Sequence, residues 1–454
     1  MFLLLPNQLY DLSILLNEFN KDPNKDPKKN PKNDFKIVLW ECPWYFNNPK
    51  YNFNKKKIIL HKASMEYYYD YLTEYFTKLK QNKPKIIKVT YDQNINDIIK
   101  GEYSMFDPID DPSLLGLPNS PKQKCIMLPS PNFLINREGY QRYRDKTDKF
   151  FFNPFYMFFK KELDILPGVV SQDKENRKTL TKKRYASLKI PGVPELSPVD
   201  KKYIAIGVKY ANDNFAGNYG NTENFIFPVC HATVKKWLKF FIKYKFSNFG
   251  NYQDIINKDN ETMFHSLLST SINIGLINPS DIIKAFKSIK IDVGLNNYEG
   301  FIRQLFWREY QRYTYIYFYS LPGNQKLNHF KNMSRLTSKW YTGDLGIPPV
   351  DDAIKTGFNT GYLHHIIRLM VMGNFMNLSG ISPHEGFKWF MEFSCDSYVW
   401  VMCQNVYGMA FHADGGKTMR RPYISSSNYI RKMSNYPKGD WCKVWDDLYH
   451  SKPF

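Results

Sequence analysis

The stretch TGYLHHIIRLMVMGNFMNL, residues 360–378, sets two adjacent histidines and an arginine inside an apolar run. Between Gly361 and Leu378, the residues Ile366, Leu369, Met370, Gly373 and Phe375 recur at roughly helical spacing, which predicts one buried helix carrying His364, His365 and Arg368. Neighbouring helical residues point about 100° apart, so the two histidines line different sides of a cleft rather than sharing one role. Arg368, three and four residues on, is predicted to share their side of the helix. A single histidine on an apolar helix is ordinarily a satisfied core residue. For this cluster the core and functional readings weigh equally on the residues alone.

Two later segments extend the pattern: DSYVWVMCQNVYGMAFHADGG, residues 396–416, and RPYISSSNYIRKMSNY, residues 421–436. They carry polar residues at Asp396, Asn405 and Asp414, the last followed by Gly415, among many aromatics. The GGKT at Gly415 to Thr418 is not a phosphate-binding P-loop, because the earlier glycine that motif requires is Phe411. With GYLHHIIRLMVMGNF, residues 361–375, these segments resemble the flavin-binding end of the photolyase and cryptochrome family. The resemblance is to its branch of prokaryotic (6-4) photolyases that carry an iron–sulfur cluster, and it runs over most of the chain.

At 454 residues and 17% aromatic content, the chain has room for two or three domains with large buried rings. Its formal net charge of +20 fits a polyanion-binding protein. The abundance of Lys, Asn, Ile, Tyr and Phe also fits an AT-rich coding sequence. Six scattered cysteines form no CxxC pair and no extracellular framework, which points to a reducing compartment. The opening MFLLLPNQL is broken by Pro6 too early for a signal peptide, and no apolar run reaches the roughly 18 residues of a membrane span. A soluble, intracellular monomer without membrane attachment is therefore expected.

The predicted architecture is α/β plus all-α. Residues 1–130 alternate strand and helix, with strands at Phe2 to Leu5, Lys36 to Trp40, Ile86 to Val89 and Lys124 to Leu128 and a helix from Lys62 to Leu79. That order predicts a Rossmann-like parallel sheet, and no GxGxxG follows its first strand. Asn20 to Asp34, a Pro-broken low-complexity run, reads as a solvated tether. Residues 131–200 read as an interdomain connector with helices at Gly139 to Phe150 and Pro154 to Leu163. Its pentad DKENR, Asp173 to Arg177, matches a family signature or is an ordinary charged loop. Residues 201–454 read as one large helical domain, with amphipathic runs at Ala232 to Phe246, Pro279 to Ser288, Tyr298 to Tyr319 and Ile381 to Phe393, and the resemblance implies that it is the FAD-binding one.

The resemblance implies roles residue by residue. HKASMEYYYDYL, from His61, is similar to a helix of the family's antenna domain, where Gln8 and Glu41 would accompany a lumazine-type pigment; both are equally well ordinary polar capping residues. In HSLLSTSINIGLINPSDI, residues 265–282, the side chains of Ser266, Ser269, Thr270, Ser271 and Asn273 would meet the flavin diphosphate. In EGFIRQLFWREYQRY, residues 299–313, Gln304 takes the lesion-facing place and Arg308 the cofactor place. Asp396, paired with Arg368 on the His-His helix, would flank the isoalloxazine, with Asn405, Asp414 and Gly415 completing the pocket. Trp389 and Tyr341 are implied members of an electron relay, with Trp340 and Tyr398 as further rings. Tyr and Phe390 stand where Trp and Tyr are common, which predicts slow photoreduction or a route through Trp340.

The branch holds its cluster with four cysteines, and the corresponding places here are Pro349, Pro437, Asp440 and Lys452. No iron–sulfur cluster or other metal is therefore expected, with the rings of Trp441, Trp445 and Phe454 packing in its stead. The implied activity is that of a light-driven DNA repair lyase, a flavoprotein passing an electron from reduced FAD to a flipped-out UV lesion, the (6-4) photoproduct. His365 would be the acid and His364 its support. A cryptochrome-like photoreceptor without repair, and a flavin-free remnant that binds DNA, remain open alternatives.

Overall fold

The structure, a computed structural model, describes residues 1–21, 35–79, 83–171, 175–177, 179, 185, 187–287 and 293–452. The low-complexity run from 22 to 34, residues 173 and 174 of the DKENR pentad, and Phe454 lie outside them. The chain forms two compact units, each assembled from three segments: 1–137, 195–238 and 268–287 in unit 1, and 138–194, 239–267 and 288–454 in unit 2. The linear division expected above therefore becomes an interleaved one in space, with residues 268–287 in unit 1.

Unit 1 is built on a parallel sheet of five strands: β1 Phe2–Leu4, β2 Lys36–Trp40, β3 Lys85–Val89, β4 Tyr103–Phe106 and β5 Cys125–Leu128. Their order is β3-β2-β1-β4-β5. The runs FLL and IVLW are apolar without alternation because β1 and β2 are buried on both faces, as central parallel strands are. The edge strand β3 is more open to solvent, with Lys85 and Lys88 exposed and only Val89 buried. Strand β4 is absent from the sequence expectation. Its YSMF core is four residues long and sits between Gly101 and the Asp107-Pro108 turn, so it reads as loop until β1 and β5 close on it.

The helix Lys55–Thr77 starts seven residues before its predicted Lys62. Lys55-Lys56-Lys57 looks solvated in sequence, yet Lys56 and Lys57 are buried. Asn54 caps the helix by accepting from Lys56 N at 2.9 Å, and the Lys57 ammonium lies 4.1 Å from the Phe53 ring centroid. This helix packs on Pro198–Asn214 where Gly207 lets the backbones touch: a Cβ there would meet Ile59 O at 2.9 Å.

Unit 2 is helical. Its expected helices are present with shifted ends: Arg137–Arg144 begins it, followed by Phe152–Glu162, Leu295–Thr314 and Pro383–Phe393. Stacking of Phe152 on Trp307, centroids 3.7 Å apart and planes 3° apart, joins two of these helices. Among the described residues, four π-helical segments interrupt the unit, at Phe241–Lys245, Tyr315–Tyr319, Ile367–Gly373 and Cys403–Ala410. Such wide turns are rare and concentrate at functional sites.

Asp200 fastens three segments within unit 1. Its buried carboxylate accepts from Ser197 N at 3.1 Å, Val229 N at 2.9 Å and Cys230 N at 3.1 Å, and from the hydroxyls of Ser197 and Thr233. Replacing it strands several buried donors at once, so Asp200→Ala should destabilise the protein by on the order of 3 kcal/mol. Urea denaturation followed by circular dichroism measures this, with Asp200→Asn expected to lose less. A change under about 1 kcal/mol in Asp200→Ala would show that the network is dispensable.

Candidate active site

The helix predicted from Gly361 begins only at His365. The preceding helix, Pro348–Thr360, ends on Gly361 in the left-handed region at φ 68°, and residues 362–364 run without regular structure. His364 thus lies ahead of the helix, which corrects the expectation that both histidines ride on it. Periodicity misses this because Tyr362 and Leu363 are apolar and buried in either conformation.

Arg368 is what turns the chain there. Its Nε donates to Leu363 O at 2.6 Å and its Nη1 to Asp396 Oδ1 at 2.9 Å. Its guanidinium lies 5.3 Å from the Phe393 ring centroid and acts on the neighbouring His364. The pair with Asp396 is the one expected, with both side chains mostly buried and the Ser394 hydroxyl donating to the same carboxylate. Cys395 N donates to Gly361 O at 3.0 Å, so the Asp396 segment is fastened to the His364 segment by backbone as well as by charge.

The two histidines differ sharply. His364 is 2% exposed, and neither ring nitrogen has a hydrogen-bond partner among the described residues. Burial first, then the charges of His265, His365 and Arg368, hold it well below the ordinary imidazole range. The His365 side chain is 39% exposed, and its Nε2 lies 2.9 Å from Asp254 Oδ1. His265 stacks on His364 with centroids 4.6 Å apart and planes 13° apart, and stands edge-on to His365 at 5.8 Å. Its Nδ1 lies 3.2 Å from Thr262 O and its Nε2 3.1 Å from Gln253 O; burial and the nearby His365 push its pKa down to about 3. Gln304 Nε2 donates to Gln253 Oε1 at 3.3 Å, which ties the expected lesion-facing residue to the same cluster. Asp254 and His265 are the residues the sequence reading left without roles. His265 opens the segment 265–282, but nothing local to either residue indicates a partner some hundred residues away.

The expected cofactor residues divide between the units. In unit 2 the Arg308 guanidinium lies 5.0 Å from the Trp400 ring centroid. Asn405, on the π segment Cys403–Ala410, donates to Val401 O at 2.8 Å and accepts from Gln311 at 3.1 Å. Asp414 accepts from Tyr319 at 3.0 Å, from the Thr418 hydroxyl at 2.6 Å and from Gly416 N at 3.1 Å, while Gly415 and Gly416 take positive φ to complete the loop. Ser266 is half-buried in this unit. Ser269, Thr270, Ser271 and Asn273 belong to unit 1, on the helix Ser269–Ile274. Fit to a polar cofactor is visible in each unit separately. Gln404 is buried with both ends of its amide unpartnered, and so are the hydroxyls of Thr270 and Ser271. Orphaned groups of this kind are costly unless a ligand satisfies them.

Of the relay residues, Trp389 Nε1 donates to Trp340 O at 2.7 Å, and Phe358 stands between Tyr341 and Trp389 at centroid distances of 5.6 and 5.7 Å. Tyr341 OH donates to the buried Glu392 at 2.9 Å, a partner the sequence reading missed. Tyr398 is buried at the start of Val399–Met402. In unit 1, Gln8 is bonded to Leu5 N and Phe106 O, and Glu41 to Lys62 and Tyr210, so neither expected antenna residue is an orphan awaiting a ligand.

The four places that the resemblance gives to cluster cysteines do not fit one. Pro349 is the second residue of Pro348–Thr360, Asp440 opens Asp440–Ser451, Pro437 O accepts from Trp441 Nε1 at 3.2 Å, and the Lys452 ammonium donates to Asn332 Oδ1 and Asn377 O, each at 2.8 Å. No thiolate stands among them. Among the described residues, no helix is long and apolar enough to cross a membrane.

Comparison with known proteins gives this geometry its context. The family model described as the FAD binding domain of DNA photolyase matches residues 301–446, which fall entirely within unit 2. That for deoxyribodipyrimidine photo-lyase-related protein matches residues 4–227. A (6-4) photolyase of Agrobacterium fabrum is 40% identical over 225 residues, covering 49% of this chain and 44% of that protein. This chain therefore spans less than half the length of that curated relative. The uncharacterized protein R855 of Acanthamoeba polyphaga mimivirus is 58% identical over 83 residues, 18% of this chain and 68% of that one. Two solved structures share the fold at 14% identity: a bacterial class III photolyase from Agrobacterium tumefaciens (TM-score 0.55, covering 95% of this chain and 86% of that one) and a Synechocystis cryptochrome (TM-score 0.60, covering 99% and 86%). With a parallel α/β unit, a helical unit matching the photolyase FAD-binding domain, and the Arg368–Asp396 pair beside two histidines, this chain belongs to the photolyase/cryptochrome family.

Proposed function

We propose that this chain is a light-driven DNA photolyase that acts on the (6-4) pyrimidine photoproduct. The observation that carries this reading is the asymmetry of the histidines: His365 is open to solvent and oriented by Asp254, whereas His364 is sealed beneath it. An exposed imidazole held at one nitrogen by a carboxylate has its other nitrogen directed by that bond, the arrangement a positioned proton donor needs. FAD, when bound, supplies light absorption and electron transfer to the lesion. The protein's part is to hold the flipped base against His365 and Gln304, and to keep Arg368 and Asp396 paired next to that pocket so that neither is a stranded charge. Asn405, Asp414 and Arg308 serve the cofactor in unit 2, and Trp389, Trp340, Tyr341 and Tyr398 the relay. The net charge of +20 provides counterion release on damaged DNA. No iron–sulfur cluster belongs to this reading, and a lumazine-type pigment in unit 1 remains part of it on the resemblance alone.

The visible spectrum of the purified protein and repair of irradiated oligonucleotides test the reading together. Flavin bands with (6-4) repair support it; flavin without repair of any lesion makes the chain a photoreceptor, and no flavin removes both. His365→Asn should retain flavin and lesion binding while losing about 10²- to 10⁴-fold in (6-4) repair, with His364→Asn milder. Unchanged repair in His365→Asn would rule out this donor. Arg368→Met should cost about 3–5 kcal/mol in urea denaturation, because it strips a buried carboxylate of its guanidinium, and the double variant with Asp396→Leu should recover much of that loss. Protein produced anaerobically should contain neither iron nor acid-labile sulfide; near-stoichiometric amounts of both would contradict the donor set at Pro349, Pro437, Asp440 and Lys452.

A further inference from the structure

We propose that His265, His364 and His365 form a binding site for a divalent transition-metal ion of the zinc type, and that the ion, when bound, blocks the exposed histidine. All three lie in unit 2, and one ring nitrogen from each can be chosen so that the three lie within 4.8 Å of one another. A tetrahedral ion with metal–nitrogen bonds of about 2.0–2.1 Å needs its ligands roughly 3.4 Å apart and each lone pair in its ring plane, so one ring of the stacked His265–His364 pair turns out of the stack when the ion enters.

Each imidazole has its own reason to take a metal. His364 is buried with both nitrogens lacking a hydrogen-bond partner among the described residues, so its lone pair points at nothing. His265 lies between two carbonyls, Thr262 O at 3.2 Å and Gln253 O at 3.1 Å. A neutral ring has one N–H, so one of those oxygens faces a lone pair, and turning that nitrogen toward a cation relieves the mismatch. His365 is bonded through Nε2 to Asp254 at 2.9 Å. That is the carboxylate–histidine arrangement by which metal sites fix a ligand's orientation, and it leaves Nδ1 as the donor.

Three imidazoles without an oxygen ligand select zinc, copper or nickel over magnesium or calcium. The field is mixed. Lys245, buried on the π segment Phe241–Lys245, acts on His265, and Arg368 acts on His364, while Asp254 and Glu261 oppose them. These cations place the affinity well below that of structural zinc sites. Metal binding here is independent of the repair reading. Only its consequence rests on that reading, since an ion on Nδ1 of His365 removes the group assigned to the lesion.

Calorimetric titration of the full-length, tag-free, flavin-loaded protein with zinc chloride tests the site, with magnesium chloride as comparator. One zinc per chain and no magnesium heat are expected. Asp254→Asn should weaken zinc binding by about 10- to 100-fold, and His265→Gln by at least as much. Absent zinc binding, equal binding of magnesium, or unchanged affinity in a folded His265→Gln protein would overturn the proposal. His364→Gln provides a second ligand test where circular dichroism shows it folded. Zinc should also abolish (6-4) repair in the parent protein. One-to-one zinc binding with repair intact would leave the ion site standing and overturn both its blocking action and the role of His365.

Discussion

The Arg368 guanidinium is the point through which the two halves of the candidate site are held together. It bonds at once to a carbonyl behind it in the chain, Leu363 O, and to a carboxylate 28 residues ahead, Asp396. The first bond fixes where the helix begins, and hence that His364 lies outside it and His365 within its first turn. The second brings in the segment that leads to Asn405 and Asp414. An arginine suits both demands because its planar fork has five donors and stays charged whatever its surroundings. A lysine would have to reach both partners from a single nitrogen, whereas the guanidinium meets them through separate nitrogens. The same bonds explain why a buried ion pair is tolerated here: the carboxylate also receives the Ser394 hydroxyl, so the cost of burying it is offset by charge and hydrogen bonding together.

Around that point the helices are wide rather than regular. Arg368 lies on Ile367–Gly373 and Asn405 on Cys403–Ala410, two of the four π segments among the described residues. They approach so closely that a Cβ on Gly373 would stand 2.6 Å from the Ala410 Cβ. A π turn inserts a residue relative to an α-helix and swings the following side chains by most of a right angle. The residues before and after it therefore face directions that a uniform helix would not permit, and this is how Arg368 serves a pocket while Met370, Val371 and Met372 remain core.

This also marks the limit of what the sequence discloses. The parallel sheet was legible because β1 and β2 are unbroken apolar runs, and the expected pair of Arg368 with Asp396 is present because charges buried in an apolar context need each other. The start of the His365 helix was not legible: Tyr362 and Leu363 continue the apolar pattern, and the bond that ends it is made by a side chain five residues later. Strand β4 escaped notice because its four residues are defined by the strands on either side rather than by any pattern of their own. Asp254 and His265 belong to neither local pattern. Their chemistry consists entirely of partners distant in sequence, His365 for one and His364 for the other, and only the fold supplies those.

The C-terminal helix Asp440–Ser451 poses the converse problem, since the resemblance expects four cysteine ligands around it and those places hold Pro349, Pro437, Asp440 and Lys452, with Cys442 the helix's own lone thiol. Its attachment is instead aromatic and ionic. Trp445 packs on Phe375 with centroids 4.9 Å apart and donates through Nε1 to Ser425 O at 3.0 Å. Lys452 follows the helix and donates to Asn332 and to Asn377 O, and Asn332 in turn bonds to the Asn377 side chain at 2.7 Å. Asn377 and Phe375 both belong to Asn374–Leu378, the continuation of the helix that carries Arg368. An ammonium ion with carbonyl partners thus cross-links segments far apart in the chain, through hydrogen bonds that charge strengthens roughly twofold over neutral ones. The fastening acts on the same helix that positions His365, so the site is supported there by hydrogen bonds and ring packing.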